Sequence, residues 1–195
     1  MRSAQVKRKT GETDVSVSLD LDGTGNYRVE TGCGFLDHML SLLSRHSLID
    51  MDISCDGDCN VDYHHTTEDV GIALGEAFDK ALGDRRGIVR FADATVPMDE
   101  SLTLVALDVS GRGCLGFDCE IRKDKVGDFD TELVEEFWSA FVRSAKVGLH
   151  IRKLAGTNAH HIIESVFKAA AVAFRKAISI DSRQKDRIPS TKGML

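Results

Sequence analysis

The chain has 195 residues, 42% hydrophobic and 29% charged, which supports a real core in one domain or two small ones. Its net charge is −6 and its 25 basic residues are scattered, so it lacks the clustered basic face that nucleic-acid binding needs. No apolar run approaches a membrane span and no apolar signal-like region opens the chain, so a cytoplasmic location, or an organellar one after processing, is expected.

Residues 3–9 are basic with few apolar positions. From Thr13 to Leu21 the apolar residues Val15, Val17, Leu19 and Leu21 alternate with polar ones, which predicts a half-buried strand. Asp22-Gly23-Thr24-Gly25 is turn chemistry, so the next strand, Asn26 to Thr31, is expected to fold back as a hairpin. After Gly32-Cys33-Gly34, the helical spacing of Phe35, Leu36, Met39, Leu40, Leu42 and Leu43 predicts a helix ending near His46. Ile49 to Ser54 reads as a strand, residues 56–62 as an acidic loop, and a helix then runs to about Leu82.

The second half repeats this order. Strands are expected over Phe91 to Val96, Leu102 to Val109 and Cys114 to Ile121, and a helix from Thr131 with Phe137, Trp138 and Phe141 on its apolar side. A strand around Leu149 and Ile151 and a helix to about Ile178 follow, and the tail is polar. An internal duplication explains the repeat. The fold class is therefore α+β, with halves at 1–90 and 91–195. Each half is expected to be a mostly antiparallel sheet with two helices on one face, the pair forming one compact unit.

The five cysteines are odd in number, and Cys55 and Cys59 bracket Asp-Gly-Asp, unlike a zinc CxxC pair; reduced thiols are expected. A calcium loop starting at Asp56 is ruled out, because Val61 and Thr67 stand where its Gly and Glu belong.

The last helix of each half opens with HHxxE: His64-His65-Thr66-Thr67-Glu68, and His160-His161-Ile162-Ile163-Glu164 about half a chain later. Positions i and i+4 share one helix face, so His64 with Glu68, and His160 with Glu164, can each grip one metal ion. His65 and His161 point elsewhere and are expected to serve the other ion of the pair. One ion then has His64, Glu68 and His161, and the other His160, Glu164 and His65. In the helix preceding each pentad, His38 is placed on the first ion and Glu136 on the second. Nitrogen and carboxylate donors without thiolate suit Mn, Fe, Co or Zn, and positions left open for substrate favour Mn. Arg90, Arg112, Lys168 and the Ser190-Thr191-Lys192 tail form a candidate anion site. Lys168 is placed two turns after Glu164 on the same helix, about 12 Å along its axis, where the phosphate of a small substrate would reach.

Phe35-Leu36-Asp37-His38-Met39-Leu40, Asp62-Tyr63-His64-His65-Thr66-Thr67-Glu68-Asp69, Gly156-Thr157-Asn158-Ala159-His160-His161-Ile162-Ile163-Glu164-Ser165 and the Pro-Ser-Thr-Lys-Gly tail together resemble the imidazoleglycerol-phosphate dehydratase family of histidine biosynthesis. The resemblance covers essentially the whole chain. It implies two Mn²⁺ ions per site and a homo-oligomeric shell of roughly 24 subunits built from trimers, with active sites between subunits. The implied reaction converts imidazoleglycerol phosphate to imidazole acetol phosphate and water, with the substrate bound as imidazolate. The resemblance assigns the catalytic group to Glu12, His38, His65 and His161, with Glu12 as the candidate base. It makes His46 a polar substrate contact and puts Arg90, Arg112, Lys168, Ser190 and Lys192 at the phosphate. The family commonly has His where this chain has Glu136. Two other readings stay open on the residues alone: a dinuclear phosphate-ester hydrolase, and a non-enzymatic module whose histidines staple subunits together.

Overall fold

The computed structural model describes residues 2–184 and 187–195. The first half runs β1 (Ser3–Lys9), β2 (Thr13–Asp20), β3 (Tyr27–Glu30), α1 (Gly34–Ser47), β4 (Asp50–Gly57) and α2 (His64–Leu82). The second runs β5 (Phe91–Met98), β6 (Ser101–Asp108), β7 (Cys114–Asp118), a small hairpin β8 (Lys125–Val126) and β9 (Phe129–Asp130), then α3 (Leu133–Ala145), β10 (Gly148–Ala155) and α4 (Ala159–Ala177). The sheets have matching orders, β1-β2-β4-β3 and β5-β6-β10-β7, so the duplication predicted from the pentads extends to topology. The α+β class and the two-helix layer on each sheet are as expected. Among the described residues no helix is long and apolar enough to cross a membrane.

One strand had no expectation attached, and another needs correction. Residues 3–9 form a strand, paired with β2 from Ser3↔Asp20 to Lys9↔Asp14. It is a sheet edge whose only buried side chain is Val6, so it needs little apolar pattern. The strand after the Asp22–Gly25 turn does not fold back on β2. It lies parallel to β4, from Tyr27↔Met51 to Glu30↔Ser54, and α1 makes the crossover that joins the two. The Asp50 carboxylate fixes this choice: it accepts from the backbone N–H of Thr24 and of Asn26, each at 2.8 Å, which ties the turn to the start of β4. The β8–β9 hairpin, a short insertion before α3, was also not foreseen.

The halves join helix to helix, α2 on α3 and α1 on α4, with the sheets outside. Each helix buries an apolar stripe at helical spacing, for example Val70, Ala73, Leu74, Ala77 and Phe78 on α2. Trp138, Phe137, Phe141, Phe167 and Phe174 form an aromatic centre between them. Gly71 and Gly75 let α2 approach α3 closely. A methyl at Gly75 would stand 2.6 Å from the Phe141 carbonyl oxygen, and one at Gly71 would stand 2.9 Å from that of Phe137. This cross-pairing of helices decides which side chains meet at the site.

Candidate active site

Two quasi-equivalent clusters emerge among the described residues, each with three ligand atoms within 4.8 Å of one another: His64, Glu68 and Glu136, and His38, His160 and Glu164. Each pentad supplies His and Glu from one helix turn, as the i, i+4 spacing requires; His160 Nε2 lies 3.2 Å from Glu164 Oε2. The third members are exchanged relative to expectation. His38 joins the second pentad, with Nε2 3.9 Å from Glu164 Oε2, and Glu136 joins the first. The cause is packing: α1 lies on α4, and α3 on α2, so each preceding helix serves the other half's pentad.

The clusters differ in charge. The first holds two carboxylates and the second one. Arg143, two helical turns beyond Glu136, offsets the first cluster from 3.5 Å at Glu68 Oε1 and 3.9 Å at Glu136 Oε1. Its helical spacing from Glu136 was the signal that sequence reading passed over. A depression of about 350 Å³ opens beside this cluster, lined by His64, Glu132, Glu136 and Ser139 among others. In the second cluster Glu164 is 7% exposed. Burial pushes its carboxyl up, but Lys168 Nζ at 2.6 Å outweighs this and holds it below the usual carboxylate range. His46, half-buried on α1, is pushed down by burial and by the nearby Lys168, which favours a neutral ring.

The histidines outside the clusters have their own partners. His65 Nδ1 lies 2.9 Å from Asp58 Oδ2 and 3.7 Å from Glu12 Oε2, and the hydrogen bond to Asp58 raises its pKa. His161 Nδ1 lies 2.6 Å from Glu100 Oε2, which raises His161 and holds Glu100 down at about 2. Within one chain, then, neither lone histidine reaches the opposite pentad. Asp58 and Glu100 were not singled out from sequence, since a loop or turn carboxylate carries no periodic signal.

Asparagine 158 (Asn158) caps α4, accepting from the amides of His160 and His161 at 2.9 and 3.3 Å, and so fixes the start of the second pentad. Glu12 sits at the β1–β2 tip. That hairpin is clamped to α2 by Asp69, which accepts from Thr13 Oγ1 at 2.5 Å and from Arg8 Nε at 3.0 Å.

The basic residues are only partly brought together. Arg90 pairs with Asp108 at 2.8 Å and donates to the Pro189 carbonyl at 2.7 Å, so it anchors the Ser190-Thr191-Lys192 tail. Arg112 lies in the turn after β6, where the chain's last residue, Leu195, packs on Gly111. Lys168 is elsewhere. It is one turn after Glu164, not the two expected, and it pairs with Glu164 instead of standing at a distant phosphate end.

The fold and site thus define a duplicated α+β protein with two matched histidine–carboxylate clusters, one at each helix-to-helix junction. A family model for imidazoleglycerol-phosphate dehydratase matches residues 31–174. Imidazoleglycerol-phosphate dehydratases of Methylobacterium radiotolerans and Methylorubrum extorquens are 57% and 58% identical over all 195 residues, covering 100% of both chains in each case. Among solved structures, that of imidazoleglycerol-phosphate dehydratase from Staphylococcus aureus matches with a TM-score of 0.84 and 39% identity, covering 92% of this chain and 99% of the other. One from Pyrococcus furiosus, in complex with (S)-C348, matches with a TM-score of 0.84 and 36% identity, covering 97% and 100%. The chain belongs to the imidazoleglycerol-phosphate dehydratase family. It is a hydro-lyase, a dehydratase of histidine biosynthesis.

Proposed function

We propose that this chain converts imidazoleglycerol phosphate to imidazole acetol phosphate and water at a site holding two divalent metal ions, with Mn²⁺ the favoured ion. The observation that carries the reading is the pair of three-ligand clusters, each with its donor atoms within 4.8 Å. The donors suit such ions: imidazole nitrogen and carboxylate oxygen, no thiolate, and too few ligands from one chain to close a six-coordinate shell. His64, Glu68 and Glu136 would hold one ion, and His38, His160 and Glu164 the other. His65 and His161 join neither cluster of their own chain, which supports sites completed between subunits. It fits a homo-oligomer, built from trimers to roughly 24 subunits, in which each lone histidine serves a neighbour.

When bound, the cations supply the positive charge that favours a deprotonated substrate imidazole. Glu12, exposed at its hairpin tip, takes the proton from the carbon next to the one that loses hydroxide. The enol left behind then relaxes to the ketone. His46 contacts the substrate as a neutral ring. Arg90, Arg112, Ser190, Thr191 and Lys192 bind the phosphate, with Lys168 contributed where subunits meet. A cytoplasmic location belongs to the same reading.

Glu12→Gln tests the assignment of the base. Expected is retained substrate binding with turnover lowered roughly 100-fold or more; unchanged turnover removes Glu12 from the mechanism. Release of inorganic phosphate in place of a ketone would support the hydrolase reading instead.

A further inference from the structure

The duplication gives Glu12 a counterpart. β1–β2 and β5–β6 are equivalent antiparallel hairpins at the same edge of their sheets. The residue just before β2 is Glu12, and the residue just before β6 is Glu100. Both hairpin-tip glutamates stand beside the second histidine of a pentad, Glu12 beside His65 and Glu100 beside His161. Their surroundings have diverged.

Glu100 is committed to contacts within the chain. One oxygen meets His161 Nδ1 at 2.6 Å, and the other accepts from the backbone N–H of Asn158 at 2.9 Å and of Thr157 at 3.3 Å. It therefore ties the β5–β6 tip to the first turn of α4. An ionised carboxylate only accepts, so in the neutral ring, the form that binds a metal, Nδ1 carries the proton and Nε2 keeps its lone pair. Asp99 Oδ2 is 3.6 Å from that Nε2, beyond a hydrogen bond, so the outward nitrogen stays available.

In the first half Asp58 has taken this task. Its Oδ2 holds His65 Nδ1 at 2.9 Å, and its backbone N–H bonds the Glu12 carbonyl at 3.2 Å. The tip is thus held through its backbone, and the Glu12 carboxylate stays 3.7 Å from His65 and 56% exposed.

We propose that Glu100 is a positioning residue: it fixes the His161 ring with Nε2 outward as a metal donor, while its pseudo-symmetric twin Glu12 is left free to work on substrate. One ancestral hairpin-tip glutamate has thereby been given two jobs, with Asp58 replacing it at His65. The proposal rests on the two-metal reading above.

The test measures Mn²⁺ affinity of the assembled protein by electron paramagnetic resonance of the free ion, for wild type, Glu100→Gln and Glu12→Gln. Gln at 100 keeps an acceptor for the Thr157 and Asn158 amides but no longer forces the proton onto Nδ1. It is expected to weaken one class of Mn²⁺ sites roughly 10–100-fold, with turnover partly recovered at saturating Mn²⁺. Glu12→Gln is expected to keep wild-type affinity and lose turnover. Should Glu100→Gln assemble poorly, Glu100→Asp, which keeps the charge but withdraws it from His161, is expected to show the same weakening. Wild-type affinity in an assembled Glu100 variant overturns the proposal alone. A wild-type protein that takes up no Mn²⁺ overturns the two-metal reading, and the proposal with it.

Discussion

Replacing Asp69 by Ala should both destabilise the protein and slow it. The Asp69 side chain is 9% exposed and that of its ion-pair partner Arg8 is 34% exposed, with 3.0 Å between them. Thr13 Oγ1, also buried, donates to the same carboxylate. Breaking a fully buried pair by removing one partner costs about 3–5 kcal/mol. Arg8 keeps part of its hydration here, so a loss of about 2–3 kcal/mol is expected, mostly from stranding Arg8 and the Thr13 hydroxyl. For a urea slope of about 2 kcal/mol/M, that moves the unfolding midpoint down by roughly 1–1.5 M at matched protomer concentration. The clamp also carries the Glu12 hairpin, so kcat should fall while Mn²⁺ affinity holds, since Asp69 touches neither cluster. Asp69→Asn, which keeps an acceptor for Thr13, should cost less than Ala. A midpoint shift below about 0.25 M, or wild-type kcat in a destabilised variant, would refute the clamp.

Gly75→Ala places a methyl against the Phe141 carbonyl and should force α2 and α3 apart, at a cost of about 1–3 kcal/mol in urea unfolding, and should weaken the cluster that joins His64 and Glu68 to Glu136. His160→Ala should abolish turnover, lower Mn²⁺ uptake and weaken the large oligomer, because metal affinity and assembly are linked; a metal-free variant that stays fully assembled by sedimentation would contradict that linkage.

Much of the fold was legible because its periodic signals are strong. The alternation from Val15 to Leu21 and the helical stripes of α2 and α4 each bury one face, and the repeated pentads exposed the duplication directly. Signals without period were not legible. β1 is an edge strand with one buried side chain, and the parallel course of β3 depends on the remote Asp50 carboxylate. The meeting of His and Glu within each pentad was legible because i, i+4 geometry is local. The exchange of His38 and Glu136 was not, because spacing along a chain is blind to which helix packs on which. Asp58 and Glu100 were missed for the same reason: each matters through a neighbour that only the tertiary fold supplies, whereas Arg143 did carry a signal in its helical spacing from Glu136.

The central claim is metal-dependent dehydration, and a Mn²⁺ titration of metal-stripped protein with imidazoleglycerol phosphate tests it most directly. Ketone formation should be absent without metal and rise to a plateau as two Mn²⁺ per chain are bound, with no inorganic phosphate released. Full ketone formation in the stripped protein, or phosphate appearing in place of ketone, would contradict the account.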